Sequence, residues 1–180
     1  CIFYTLPPFQ FAYRPFAGEW LGGFTGILLN MTGCYFAQTG SVSAAIIVFS
    51  IVVGMCYIAI MMVFHYLDYD SDKQAKPLKN TTIVFLGLRR SKYYVTGLLI
   101  ASIIIAVIMA LRFHPLFYWL AINNLIQLIF QWRCDPYSEE SIVRIGKWIT
   151  FEMIGFGLLF SSLNNIKLAW VSLLVLLSFY

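Results

Sequence analysis

The sequence predicts an all-α protein, a polytopic bundle of membrane-spanning helices. Three observations carry this expectation. Of its 180 residues 61% are hydrophobic and only 11% charged, where a soluble domain carries roughly 25% charged. Mean hydropathy is +0.80. The apolar residues fall in runs of about twenty, the length that crosses ~30 Å of hydrocarbon at 1.5 Å per residue. The net charge of +4 resides in the loops between runs, as membrane topology requires, and so gives no reason to expect a nucleic-acid partner.

Cys1, Cys34, Cys56 and Cys134 form no CxxC pair, and two of them lie inside apolar runs. Such spacing indicates packing residues, with neither a zinc site nor a disulfide framework. Position 1 is not Met and no basic n-region precedes an apolar stretch. The chain is expected to be the carboxyl-terminal part of something longer.

Residues 1–16 are aromatic and proline-rich. Pro7-Pro8 and Pro15 exclude a continuous helix, so this reads as the end of one helix and a loop carrying Tyr13-Arg14. Pro15 to Glu19 suits a helix start, with a carboxylate at the positive end of the dipole, and the first span is placed at 19–38. Thr39-Gly40-Ser41 is read as a break with a serine cap, and 42–66 as the second span. Residues 68–92 form the largest polar loop, with Lys73, Lys76, Lys79, Arg89, Arg90 and Lys92. A third span follows at 93–111, a turn at Arg112-Phe113-His114-Pro115, and a fourth span at 116–131. The fourth contains Asn123, Asn124 and Gln127, which need polar partners in hydrocarbon and so should face other helices. A second polar loop, 133–147, leads to spans at 148–163 and 168–180. The whole chain is one transmembrane region.

If the spans alternate, Arg14, the six basic residues of the large loop, Arg133, Arg144 and Lys147 share one side and leave Arg112 and Lys167 opposite. The positive-inside rule makes the crowded side cytoplasmic. Three aspartates, Asp68, Asp70 and Asp72, then stand at the cytoplasmic mouth.

Asp68 and Asp72 are four residues apart, so on a helix they share a face with side chains ~5–6 Å apart. Two such carboxylates can hold Mg²⁺ whose other sites take water and phosphate oxygens. Asp70 lies about 200° away at helical pitch and joins them only if the helix unwinds. Lys73, Lys76 and Lys79 beside the acids, with Arg14 on the same side, describe a metal-diphosphate site rather than a merely solvated helix end. His65, one turn before Asp68, is a candidate donor or base against a packing role. Glu19 and Glu152 are acids at or within apolar runs, where function is the default; for Glu19 a dipole-complementing role is the competing reading. The aromatic content of 18% suits either a lipid-tail pocket or interface belts.

The stretches Pro7-Pro8-Phe9-Gln10-Phe11-Ala12-Tyr13-Arg14-Pro15-Phe16-Ala17-Gly18-Glu19, Gly33-Cys34-Tyr35-Phe36-Ala37-Gln38-Thr39-Gly40 and Asp68-Tyr69-Asp70-Ser71-Asp72-Lys73-Gln74-Ala75, leading to Thr81-Thr82-Ile83-Val84-Phe85-Leu86-Gly87, resemble the UbiA superfamily of intramembrane prenyltransferases. They look most like its MenA branch, which prenylates 1,4-dihydroxy-2-naphthoate on the way to menaquinone. The resemblance covers about residues 3 to 90 well and the remainder loosely. It implies a bundle of about nine helices around a lipid-open pocket, in a multi-pass protein of the bacterial inner membrane. Two aspartate-rich cytoplasmic motifs would bind Mg²⁺ and a polyprenyl diphosphate. Asp68 and Asp72, with Asp70 between them, match the second motif as catalytic and metal-binding residues. Arg14, Lys73 and Lys79 match basic positions that hold diphosphate, and His65, Tyr66, Tyr69 and Glu19 are candidate pocket residues.

The sequence departs from that pattern in three places. The family's Asn-Asp-rich first motif is absent from this stretch, so the stretch is not expected to catalyse alone. Phe64, His65 and Leu67 stand where the branch has an Asn pair and an Arg, and extra residues surround Lys76-Pro77-Leu78. The last two bear on the identity of the aromatic acceptor. Two rival readings are a CDP-alcohol phosphotransferase-like enzyme, whose Asp-Gly and Ala-Arg pairs are not found here, and a transporter or channel part lined by Asn123, Asn124, Gln127 and Glu152.

Overall fold

The computed structural model describes residues 2–164 together with Trp170 and Leu174, and every regular element among the described residues is helical. The chain enters through α1 (Ile2–Thr5) and an aromatic loop that holds a single 3₁₀ turn, Phe11–Tyr13. Gly18–Phe24 is wound in wide i→i+5 turns and runs without a break into α2 (Thr25–Thr39). There follow α3 (Ala44–His65), α4 (Tyr69–Gln74), α5 (Thr82–Leu86), α6 (Leu88–Arg112), α7 (Phe117–Arg133) and α8 (Glu139–Asn164). The expected run 168–180 lies outside the described residues apart from Trp170 and Leu174.

Local chemistry sets the ends of these helices. Gly40, at φ 69°, takes the left-handed conformation that closes α2, its N–H donating to the Phe36 carbonyl at 2.8 Å. The serine that caps α3 is Ser43 and not Ser41: its Oγ accepts from the Ile46 N–H at 3.3 Å, and the helix starts accordingly later. Residues 68–92, expected as loop, contain α4, α5 and the first turn of α6. Gly87, at φ 77°, ends α5 and its carbonyl accepts from both the N–H and the Oγ of Ser91, so α6 begins at once.

Arg89, Arg90 and Lys92 thereby lie in a helical N-terminal turn, against the macrodipole. Lys92 offsets this by reaching the end of α7, where its Nζ donates to the Trp132 and Cys134 carbonyls at 2.7 and 2.8 Å. α8 also starts earlier than expected, at Glu139. Ser138 Oγ accepts from Ser141 N–H at 3.2 Å, and Glu139 and Glu140 occupy the first turn.

α6 packs along α3 on one side and α7 on the other. Around them Ile58, Met62, Val63, Ile83, Val95 and Leu99 form one buried apolar cluster, and Val52, Ala106, Met109 and Leu120 a second. The wide-turn segment lies directly on α3. A Cβ added at Gly54 would meet the Phe24 ring at 2.7 Å, so the absence of a side chain there permits the approach.

Among the described residues two helices, α3 and α6, are long and apolar enough to cross a membrane. α7 has an inverted pattern: Asn123, Asn124, Gln127 and Gln131 are buried, whereas Trp119, Ile122, Leu125, Ile126 and Ile129 are exposed. Such a helix suits a solvent less polar than the protein interior. The expectation that Asn123, Asn124 and Gln127 face other helices is what the structure has.

Candidate active site

α3 ends at His65, and Asp68 is the residue that opens α4. The Asp72 N–H donates to the Asp68 carbonyl at 2.8 Å, which makes the pair one helical turn. Asp72 is buried, 6% exposed, and Asp68 is exposed. The loop that follows α4 folds back over them. Lys79 Nζ donates to Asp72 Oδ1 at 2.8 Å while the Lys79 N–H donates to the Asp72 carbonyl at 3.3 Å. Burial works against the Lys79 ammonium, but the hydrogen bond to Asp72 and its charge, aided by Asp68 and Tyr13, prevail and raise the Lys79 pKa above the ordinary lysine value.

A second set of bonds ties this corner to the chain's beginning. Thr82 Oγ1 donates to Glu19 Oε2 at 2.8 Å and accepts from the Phe16 N–H at 2.7 Å. Glu19 is 2% exposed, so the threonine hydroxyl provides a hydrogen bond that a buried carboxylate requires. Phe16 sits at φ 63°, an uncommon conformation for a bulky residue. It is held by that bond and by edge contacts of its ring with Phe85 and Tyr94, at centroid distances of 6.0 and 5.5 Å. Trp20 Nε1 donates to the Tyr94 hydroxyl at 2.7 Å and closes the set.

The expected site residues therefore divide. Asp68, Asp72 and Lys79 are brought together, and Glu19 is joined to their loop through Thr82 three residues after Lys79. Asp70 is not in this corner. Because α4 is wound, Asp70 lies on another side, lining a recess of about 460 Å³ with Tyr66, Tyr69, Pro136, Tyr137 and Glu139. Tyr66 and Tyr69 belong to that recess as well, and His65 Nδ1 is buried without a hydrogen-bond partner among the described residues.

Lys73 stands over the Tyr69 ring at 5.6 Å, and exposed Arg14 donates from Nη2 to the Pro8 carbonyl of its own loop at 3.4 Å. Neither is ion-paired to Asp68 or Asp72. Thr82 was not singled out from sequence, although a polar pair, Thr81-Thr82, opening a short apolar run soon after the lysines was a signal for it.

Among the described residues no three His, Cys, Asp or Glu side chains gather as a metal cluster. The donor set at the corner is instead two carboxylates one turn apart, one of them open to solvent. That set fits Mg²⁺, which commonly takes one or two carboxylates and completes its shell with water and phosphate oxygens.

The molecule is thus an all-α bundle with membrane-length helices and a local carboxylate–ammonium corner that the Thr82–Glu19 bond ties to a distant chain segment. Residues 1–148 match the UbiA prenyltransferase family, and the chain belongs to that family. The match reaches the family and not a branch within it. The family is membrane-integral and its members are prenyltransferases. No curated protein and no solved structure matches the chain.

Proposed function

We propose that the protein transfers the prenyl group of a polyprenyl diphosphate to an aromatic acceptor of the dihydroxynaphthoate kind, with Mg²⁺ and in quinone biosynthesis. The observation that carries this reading is the Asp68–Asp72 turn with Lys79 at 2.8 Å from its buried member, in a chain of a prenyltransferase family. Asp68 and Asp72 would hold Mg²⁺. Bound there, the ion supplies Lewis-acid neutralisation of a diphosphate leaving group.

The remaining work falls to the chain itself. Lys79 exchanges a carboxylate oxygen for diphosphate oxygens, and the exposed Arg14 and Lys73 add positive charge as the allylic C–O bond breaks. An electron-rich ring attacks the allylic carbon and passes its displaced ring proton to water or to the released diphosphate. The Thr82–Glu19 bond keeps the loop carrying Lys79 in place and Glu19 walls the corner, while Tyr66 and Tyr69 wall the recess that Asp70 lines and His65 stands one turn before Asp68. The protein crosses the bilayer several times, and by the positive-inside rule the basic residues collected near the corner favour the cytoplasmic side for it.

A transport path along α7 is less well supported. Asn124 and Gln127 are bonded across to Cys56, Ser102 and Glu152 on neighbouring helices, which knits the bundle rather than opening it.

The test is Asp72→Ala in the full-length protein, assayed for prenyl transfer at increasing Mg²⁺. Turnover should fall by at least about 10²-fold, as when charge stabilisation of a transition state is removed. Unchanged turnover and Mg²⁺ dependence would refute the assignment.

A further inference from the structure

Away from the corner, the inward face of α7 meets α3, α6 and α8 through polar groups. Cys56 Sγ donates to Asn124 Oδ1 at 2.8 Å, Asn124 Nδ2 donates to Ser102 Oγ at 3.1 Å, and Gln127 Nε2 donates to Glu152 Oε2 at 3.2 Å and to Met153 Sδ at 2.8 Å. These bonds use only part of what the side chains offer. Asn123 Oδ1, Gln127 Oε1, Glu152 Oε1 and both ends of the Gln131 amide are buried without a partner among the described residues. Asn123, Gln127 and Gln131 are 3%, 1% and 2% exposed. They recur at i, i+4 and i+8 along one face of α7, a row about 12 Å long at 1.5 Å per residue.

Dry burial of so many amide and carboxyl atoms in an apolar bundle is strongly unfavourable. The inventory also says what would relieve it. Four of the five unpartnered atoms are oxygens and one is an N–H₂ group, so the missing partner brings O–H donors and can accept once. Water meets that description, and polar atoms along a narrow row give each molecule its two to four partners.

We infer that the α7 row from Asn123 to Gln131, with Glu152 opposite, is a buried water-binding site. The bound water donates to the amide oxygens and to Glu152, so the contact between α7 and α8 is partly made through solvent. This inference is independent of the proposed catalytic corner.

The molecule carries its own probes. Met153 Sδ accepts from Gln127 of the row, and Cys56 Sγ is joined to it through Asn124, whose Oδ1 also accepts from Asn123 Nδ2 at 3.4 Å, whereas Met62 and Met109 are buried in apolar clusters at 0% and 1% exposure. Hydroxyl radicals made by X-ray radiolysis arise at bound water as well as in bulk, so in lipid nanodiscs the full-length protein should be oxidised at Cys56 and Met153 well above Met62 and Met109. In Asn123→Leu/Gln127→Leu that excess should fall several-fold, with buried Cys134 unchanged as control. Should the double variant fail to fold, the near-isosteric Gln131→Met and the wild-type contrast serve instead. Labelling of Cys56 and Met153 at the Met62 and Met109 level would overturn the proposal. So would a sodium-specific rise in thermal stability over choline that is lost in Glu152→Gln, since that result would assign the oxygens to a metal ion.

Discussion

Glu19 shows how a single residue acquires its meaning from a distant one. A carboxylate in the first turn of a helix needs no explanation beyond the dipole, and the sequence alone offers that reading beside a functional one. The structure buries Glu19 and gives it the Thr82 hydroxyl, which in turn takes the Phe16 N–H. Thr82→Val removes the donor while nearly keeping the shape, leaving a buried acid short of a bond, and should cost ~1–3 kcal/mol. Thermal unfolding in detergent would register the loss, and Thr82→Ser, which retains the hydroxyl, should recover most of it. Equal stability of the Val variant and wild type would mean the bond is incidental. That Asp68 and Asp72 share one turn was legible from their spacing alone, because four residues is about one helical turn. The separation of Asp70 was conditional on α4 being wound, and the structure winds it.

At the scale of elements, the apolar runs were readable and their ends were less so. Hydropathy locates the middle of a helix that must cross lipid, but an end is decided by hydrogen bonds of one or two side chains. Ser43, Gly87 and Ser138 each moved a boundary in this way. Charge was the more misleading signal. Arg89, Arg90 and Lys92 read as loop because they are basic, whereas they lie in the first turn of α6, with Lys92 capping the far end of α7. A cation on those carbonyls complements the negative end of the α7 dipole. Lys92→Met should therefore loosen the α6–α7 pair by about 1 kcal/mol. Faster hydrogen exchange confined to the last turn of α7 would mark the effect, and exchange unaltered there would count against it.

For the whole molecule, the proposed orientation follows from where the basic residues collect. With Cys1 and Cys34 replaced by Ser, a Ser71→Cys variant should react with a membrane-impermeant maleimide only from the cytoplasmic face, and Phe113→Cys only from the other. The opposite pattern would invert the topology. The long apolar runs determined that this chain folds as helices in an apolar solvent, because a continuous run of about twenty residues satisfies its own backbone polar groups there by winding into a helix. The order of the residues also draws the proposed chemistry to the neighbourhood of residue 68, since three acids and the lysines beside them are concentrated there. Only the tertiary structure decided which lysine meets which aspartate, that Glu19 and Thr82 share a bond across 63 positions, and that α7 turns its amides inward. Those outcomes depend on how loops fold back and how helices face one another. Neither is recorded in local periodicity, because the partners lie on different elements.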